Sequence, residues 1–346
     1  MSITFSLLQL GWRPFFQQQL TLDEWETTTP ARVTAVHRSN IDLAIEGSSL
    51  KLAVTANMPS LAVGDWILLN NQHFHRLLDR QSLFSRKAAG SKVSEQLIAS
   101  NIDTAFIVCS MNQDFNLSRI ERYLALVNEA EVEPVIVLTK KDLCPDPDSY
   151  LIKVQALDRN LLVEGVNALD QDSLLPLQPW CTPGRTVALI GSSGVGKSTL
   201  INGLLGQSQQ ETGSIREDDS KGRHTTTGRS LHLTAAGALL LDTPGMREIQ
   251  LAHCEAGVDA TFSDIIEFAG QCQFHDCQHE SEPGCAVKSA IEASDLDQRR
   301  LKSYRKLLRE QAMNSASLAE RRAQNRAFSR HVKSVVKSTK RLKQNW

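Results

Sequence analysis

From Ala31 onward the apolar positions first alternate singly with polar ones. Ile41, Leu43 and Ile45 alternate with Asp42, Ala44 and Glu46, a Gly47-Ser48-Ser49 turn follows, and Leu50, Leu52 and Val54 then alternate with Lys51, Ala53 and Thr55. A period of two on both sides of a short turn predicts a β-hairpin with one buried face. Val63-Gly64-Asp65 predicts a turn into a strand at Trp66–Leu69. Several short strands between residues 31 and 85 predict a small β domain, with an oligonucleotide-binding (OB) type barrel as one candidate and any other small β fold as the alternative. The first thirty residues, around Gly11-Trp12-Arg13-Pro14, show no periodicity and read as irregular. Arg86 to Glu95 is polar, carries Gly90, and reads as a linker or loop.

At Ile102 the rhythm changes. Strands are predicted at Ile102–Cys109, Pro134–Leu138, Val187–Ile190 and Ala238–Leu241, with helices over Ser118–Ala130 and from Lys197 through Leu200 and Leu204. Apolar runs of strand length alternating with helices predict a parallel sheet covered on both faces. After about Ile249 come a Cys/His cluster and then a helix over Ser294–Gln311, with Leu301, Tyr304 and Leu308 on one face.

A chain of 346 residues has room for two or three domains. Its 38 basic and 39 acidic residues nearly cancel, but Arg299 to Trp346 holds fifteen Lys or Arg against only Glu310 and Glu320. This concentration predicts contact with RNA phosphates along Arg299, Arg300, Lys302, Arg305, Lys306 and Arg309. It also predicts a basic tail, disordered in isolation, that adds affinity rather than sequence selection. No apolar run approaches the roughly 18–20 residues of a membrane span, and Met1 to Phe16 has no signal-peptide pattern. The expected compartment is the cytoplasm, without membrane contact. Of the seven cysteines, Cys272, Cys277 and Cys285 fall within fourteen residues of one another together with His279. In a reducing compartment the spacing Cys-x4-Cys-x-His-x5-Cys predicts a tetrahedral, structural Zn2+ site before it predicts disulfides, with His275 as a competing ligand. Cys109, Cys144, Cys181 and Cys254 read as core or surface thiols.

Gly191-Ser192-Ser193-Gly194-Val195-Gly196-Lys197-Ser198 fits G-x-x-x-x-G-K-[ST] between an apolar strand and a helix continuing through Thr199. Such a loop turns backbone N–H groups toward phosphates at a helix N-terminus. Lys197 would reach the β- and γ-phosphates, and Ser198 would ligate Mg2+. Thr139-Lys140-Lys141-Asp142 follows an apolar strand and matches [N/T]-K-x-D. The Asp142 carboxylate can accept from N1–H and the 2-amino group of guanine, which adenine lacks. Asp242-Thr243-Pro244-Gly245 matches D-x-x-G, where Asp242 would hold Mg2+ through water and Gly245 would meet the γ-phosphate. Between them Gly222-Arg223-His224-Thr225-Thr226-Thr227 supplies a switch threonine, either Thr225 or Thr226. The base reader precedes the phosphate loop, the reverse of the ordinary order. A sheet is held by spatial neighbours, so joining the old ends and opening another connection preserves the pocket.

In this permuted order, and in G-R-H-T-T, the sequence resembles the RsgA/YjeQ family of circularly permuted GTPases over about residues 30–310. The resemblance implies a multidomain α/β protein: an N-terminal extension (1–30), an OB-type β-barrel (31–90), and a circularly permuted P-loop GTPase domain with a mainly parallel sheet (91–252, elements in the order G4-G5-G1-G2-G3). A helical zinc-binding domain (253–311) and a basic tail (312–346) complete it. It implies GTP/GDP and Mg2+ binding, one structural zinc held by Cys272, Cys277, His279 and Cys285, and a monomer acting on the 30S ribosomal subunit and its 16S rRNA. Met246, after D-x-x-G, cannot hydrogen-bond an attacking water, so intrinsic turnover is expected to be slow and ribosome-stimulated. The resemblance makes His224 the candidate to position that water. The rival readings are an RNA-binding adaptor using GTP as a binding switch and a metabolic P-loop kinase or ATPase.

Overall fold

The computed structural model of the chain describes residues 5–87, 95–206, 230–234, 236–242 and 254–315. The N-terminal segment is not irregular. It forms α1 (Pro14–Gln17) and α2 (Leu22–Thr27), too short to show a helical period. Pro14 opens α1, where a missing N–H costs nothing. A capping box starts α2: Glu24 N–H donates to Thr21 Oγ1 and Thr21 N–H to the Glu24 carboxylate. That carboxylate also accepts from Arg76 at 2.6 and 2.9 Å, and this pairing holds its pKa far below the usual carboxylate range. Leu10, Trp12 and Phe16 are buried against Trp66 and Leu68, with the Trp12 and Trp66 rings edge-to-face at 4.8 Å.

Strands β1 (Thr29–Val36), β2 (Asn40–Ile45), β3 (Ser48–Ala53), β4 (Trp66–Asn70) and β5 (His73–Leu77) follow. The expected hairpin is β2–β3, with Leu43 opposite Leu50 and Ile41 opposite Leu52. All pairings are antiparallel, and the spatial order β3-β2-β1-β4-β5 wraps Val33, Ile41, Leu43, Ile67 and Leu69 into the core of an OB-type half-barrel. Strands β6 (Leu83–Lys87) and β7 (Glu95–Ser100) pair antiparallel. Arg86, Lys87 and Glu95 therefore belong to strands rather than to the linker or loop expected from Arg86 to Glu95.

The central sheet contains β8 (Thr104–Ser110), β9 (Glu133–Thr139), β10 (Leu162–Gly165), β11 (Thr186–Ile190), β12 (Ser230–Leu233) and β13 (Leu239–Asp242), interleaved with α3 (Leu117–Glu129), α4 (Pro147–Gln155) and α5 (Lys197–Leu205). Its order is β10-β9-β8-β11-β13-β12, parallel except for β12. Counted from β11 as strand 1, the order reads 6-5-4-1-3-2, one doubly wound sheet that the permuted connectivity leaves intact. Every residue of β8 and β11 is buried, which is why these strands read as unbroken apolar runs. The strand order reverses between β8 and β11, and ligands of such sheets bind outside the carboxyl ends at that point. One register pair, Ala35–Ser230, joins the half-barrel to the outer strand β12.

On the other flank α6 (Glu255–Thr261), α7 (Ser263–Ala269), α8 (Ala286–Glu292) and α9 (Gln298–Ser315) share a single apolar core with α3. The last helix begins later than Ser294. Ser294 has φ of 66°, a left-handed residue that ends the preceding helix, and Asp297 Oδ1 accepts from Arg299 N–H at 2.7 Å to start the new turn. Two residues of its basic face, expected to contact RNA phosphates, are committed within the protein. Arg300 is buried, pairing with Glu121 at 3.1 Å and with Asp264 at 2.6 and 2.9 Å, and Arg299 pairs with the fully buried Glu121 at 2.8 and 3.1 Å. A buried carboxylate demands such partners, and no local pattern on α9 reveals that Glu121 waits across the interface. Leu301, Tyr304 and Leu307 face the core, while Leu308 is partly exposed.

Barrel, N-terminal segment and central sheet meet at Arg32. Its buried guanidinium donates to Leu10 O, to Asn101 O at 3.1 Å and to Thr186 Oγ1 at 2.8 Å. Beside it Arg13 pairs with Asp103, whose Oδ2 also accepts from Thr186 N–H at 2.7 Å. Gly184 has φ of +76°, and a Cβ there would drive into the Leu8 carbonyl oxygen. Gly184→Ala is expected to destabilise this junction by roughly 1–3 kcal/mol, read as a lower urea or thermal midpoint together with faster proteolysis of the N-terminal segment. An unchanged midpoint would remove the junction's claim to hold that segment.

Candidate functional site

Residues Gly191–Ser198 leave the carboxyl end of β11 and enter α5 at Lys197. Gly191, Gly194 and Gly196 all have positive φ. At Gly191 a side chain would collide with the Val108 carbonyl oxygen, so the loop lies directly against β8. Lys197 Nζ donates to Gly191 O at 2.7 Å and to Ser192 O, closing the loop from within.

Thr139–Asp142 stands beside this loop because β9 lies two strands from β11. Thr139 Oγ1 lies 2.5 Å from Val195 O and 3.2 Å from Cys109 O, so the threonine stitches the end of β9 to the loop and to β8. Lys140 takes a left-handed backbone, φ 61°, uncommon outside glycine. This turns its side chain across the site, and Nζ donates to Gly194 O at 2.9 Å. Lys141 and Asp142 begin a 3-10 turn through Leu143, and both side chains are exposed at the rim.

The segment after β10 carries no motif that marks it in the sequence. Val166 N–H donates to Leu138 O at 2.8 Å, and Lys141 N–H to Val166 O at 3.3 Å. Asn167 Oδ1 accepts from Leu169 N–H at 3.0 Å, and its own N–H donates to Ser173 Oγ at 2.8 Å. Residues 166–168 thus sit beside the base-reader turn at the carboxyl end of the neighbouring strand. Their signal in the sequence is only positional, a polar residue following the apolar run that ends at Val166.

Asp242 closes β13 one strand from the phosphate loop, and its backbone is paired with Ser230. His224, Thr225, Thr226, Gly245 and Met246 lie outside the described residues, as does the basic tail from residue 316.

The second candidate site is the Cys/His cluster. The ligand atoms of Cys272, Cys277, His279 and Cys285 all lie within 4.8 Å of one another. Cys272 Sγ is 3.9 Å from Cys285 Sγ, and His279 Nδ1 is 3.6 and 3.5 Å from those two sulfurs. Zn2+ bonded tetrahedrally at about 2.3 Å to sulfur and about 2.0 Å to nitrogen would set S–S edges near 3.8 Å and S–N edges near 3.5 Å. The donors fit that ion, and 3.9 Å is far too long for a disulfide. Desolvation opposes ionisation of Cys272, but N–H groups of Val287 and Ala286 and the neighbouring thiols outweigh it and lower its pKa. Burial, then the nearby Arg305, lowers the His279 pKa, which favours the neutral imidazole that binds a metal. Glu282 shapes the intervening loop by accepting N–H groups of Gln278, Glu280 and Ser281 at 2.8–3.0 Å. Burial pushes Cys109, Cys181 and Cys254 up to about 12, which marks them as inert core thiols.

A phosphate loop at the strand-order reversal, a turn beside it that matches [N/T]-K-x-D, and a chain order that places this turn first define a circularly permuted P-loop GTPase. The sequence model of the RsgA GTPase family matches residues 77–252. Across 341 residues the chain is 61% identical to small ribosomal subunit biogenesis GTPase RsgA 2 of Vibrio parahaemolyticus, covering 98% of this chain and 95% of that one. A protein of the same name from Vibrio vulnificus is 57% identical, covering 98% and 97%, and small ribosomal subunit biogenesis GTPase RsgA of Mesorhizobium japonicum is 48% identical, covering 90% and 91%. The fold matches the crystal structure of YjeQ from Thermotoga maritima with a TM-score of 0.61 at 23% identity, covering 82% of this chain and 98% of that one. It matches YloQ, described as a circularly permuted GTPase, at 0.57 and 24%, covering 82% and 94%. The chain belongs to the RsgA GTPase family. It uses GTP with Mg2+ and carries a structural zinc site. Among the described residues no helix is long and apolar enough to cross a membrane.

The zinc cluster adjoins the core shared by α3 and α7–α9, with Cys285 and Val287 buried in it. Stripping the metal with a chelator, or Cys285→Ser, is expected to lower the stability of the C-terminal helices by several kcal/mol. Metal content by mass spectrometry and the unfolding midpoint measure this. One zinc per chain lost with no change in midpoint would deny the metal a structural role.

Proposed function

We propose that this protein binds the small (30S) ribosomal subunit through its 16S rRNA, assists late maturation, and couples GTP hydrolysis to its own release. The observation that carries this reading is near-complete coverage at 61% identity by a relative named for small-subunit biogenesis. It acts in the cytoplasm as a monomer. Its units are the extension (1–30), the barrel (31–90), the permuted GTPase domain (91–252), the zinc-binding helical domain (253–311) and the basic tail (312–346).

Lys197 neutralises the β- and γ-phosphates, while N–H groups of Gly191–Lys197 converge on them and the helix continues through Ser198 and Thr199. Ser198, Asp242 through water, and either Thr225 or Thr226 would hold Mg2+, which would supply positive charge to the phosphates. Asp142 reads N1–H and the 2-amino group of guanine, the Lys140 stem flanks the base, and Gly245 N–H meets the γ-phosphate. His224 orients the attacking water, a task closed to Met246. Cys272, Cys277, His279 and Cys285 hold the zinc.

Phosphate release from GTP, measured with and without purified 30S particles, tests the reading. A slow basal rate that rises severalfold with 30S and vanishes in Lys197→Ala is expected. A rate indifferent to the particle would remove the ribosome as activator. Asp142→Asn should transfer preference from GTP to xanthosine triphosphate by about 100-fold or more, because the amide offers a donor where guanine presents one. Unchanged base preference would take the reading role from Asp142.

A further inference from the structure

We propose that Arg119 is a positioning residue for GTP binding, holding the phosphate loop from α3 through the Ser192 hydroxyl. Arg119 NH1 donates to Ser192 Oγ at 2.6 Å and to Asp114 Oδ2 at 2.7 Å. Ser192 Oγ therefore accepts from the guanidinium. On its backbone side the Ser192 carbonyl accepts from Lys197. One residue of the loop is thus gripped at both ends.

The helix that supplies the grip is itself fixed. Asn116 Oδ1 caps it by accepting from Arg119 N–H at 3.1 Å, and Ile120, Glu121 and Leu124 are buried. Two residues after Arg119, Glu121 is clamped by Arg299 and Arg300. Arg119 accordingly projects from a rigid support, not from a loop. A phosphate loop with three positive-φ glycines is intrinsically free. Without an outside anchor, ordering it would fall to the nucleotide and weaken binding. The anchor acts on the loop whether or not a γ-phosphate is present, so GTP and GDP gain equally. Such uniform binding shows in KM and not in kcat.

The proposal rests on the phosphate-loop reading of Gly191–Ser198, which Lys197→Ala tests separately by abolishing turnover. Full-length protein carrying Arg119→Met, Arg119→Lys, Ser192→Ala, or Arg119→Met with Ser192→Ala is compared by fluorescent GTP and GDP titration and steady-state turnover. Arg119→Met is expected to raise Kd for both nucleotides by the same factor, about three- to tenfold, the range of a partly exposed charged hydrogen bond. KM should rise in step with kcat within about twofold. Arg119→Lys should recover part of the loss. In the Ser192→Ala background Arg119→Met should have no further effect, since the hydroxyl it acts through is gone. Should Arg119→Met not fold, Ser192→Ala alone must show the same common rise in both Kd values. The proposal is overturned by unchanged Kd values, by a fall in kcat at unchanged Kd, or by an undiminished Arg119→Met effect in the Ser192→Ala background.

Discussion

The guanidinium of Arg32 is buried, and among the described residues its hydrogen-bond partners are neutral oxygens rather than carboxylates. Desolvation, reinforced by nearby Arg13, lowers its pKa to about 10, with Asp103 and Asp65 opposing from a distance. Each of those acids is committed to another arginine, Asp103 to Arg13 and Asp65 to Arg80. Arg32 is instead solvated by the protein itself: Leu10 O from the N-terminal segment, Asn101 O from the end of β7, Thr186 Oγ1 from β11, and the Trp66 ring at 5.6 Å. A buried charge left unpaired is costly, so the three acceptors must be in place together. Half-barrel, N-terminal segment and central sheet consequently form one assembly. The single pair Ala35–Ser230 adds continuity to the sheet but little holding strength.

Contiguous features were legible in the sequence. Gly191–Ser198, Thr139–Asp142 and Cys272–Cys285 each carry their chemistry within a short window, and the buried strands announced themselves by apolar runs. What was not legible depends on partners far along the chain. Trp12 and Phe16 make sense only against Trp66, and α1 and α2 are too short to show a period. Arg299 and Arg300 read as contacts for RNA phosphates because their partner Glu121 lies nearly 180 residues earlier. The start of α9 was misplaced because Ser294 favours a cap by composition, whereas its left-handed backbone ends the helix before it. Arg119 carried no motif at all, since its meaning comes from Ser192, 73 positions on.

Alpha helix α3 stands between the two halves of the molecule. One face packs under β8 and β9, its N-terminal turn touches the phosphate loop, and its outer side receives α6 and α9. Arg122 pairs with Glu310 on the same side, and Gly257 N–H donates to Glu129 at 2.7 Å. The zinc-bearing helices are therefore not an appendage on a linker. They complete the covering of a helix that belongs to the nucleotide-binding sheet.

That covering also sets a timetable for synthesis. The apolar flank of α3 leaves the ribosome before Cys254, Val258 and Phe262 exist to cover it. With about 125 residues still to be joined at about 5–20 per second, the flank stays bare for roughly six to twenty-five seconds. In a GTPase of ordinary chain order the corresponding helix would come after the phosphate loop and switches, with less chain left to make before such a cover. Opening the chain ahead of the phosphate loop lengthens the interval in which a nascent apolar surface must be kept from misassociation.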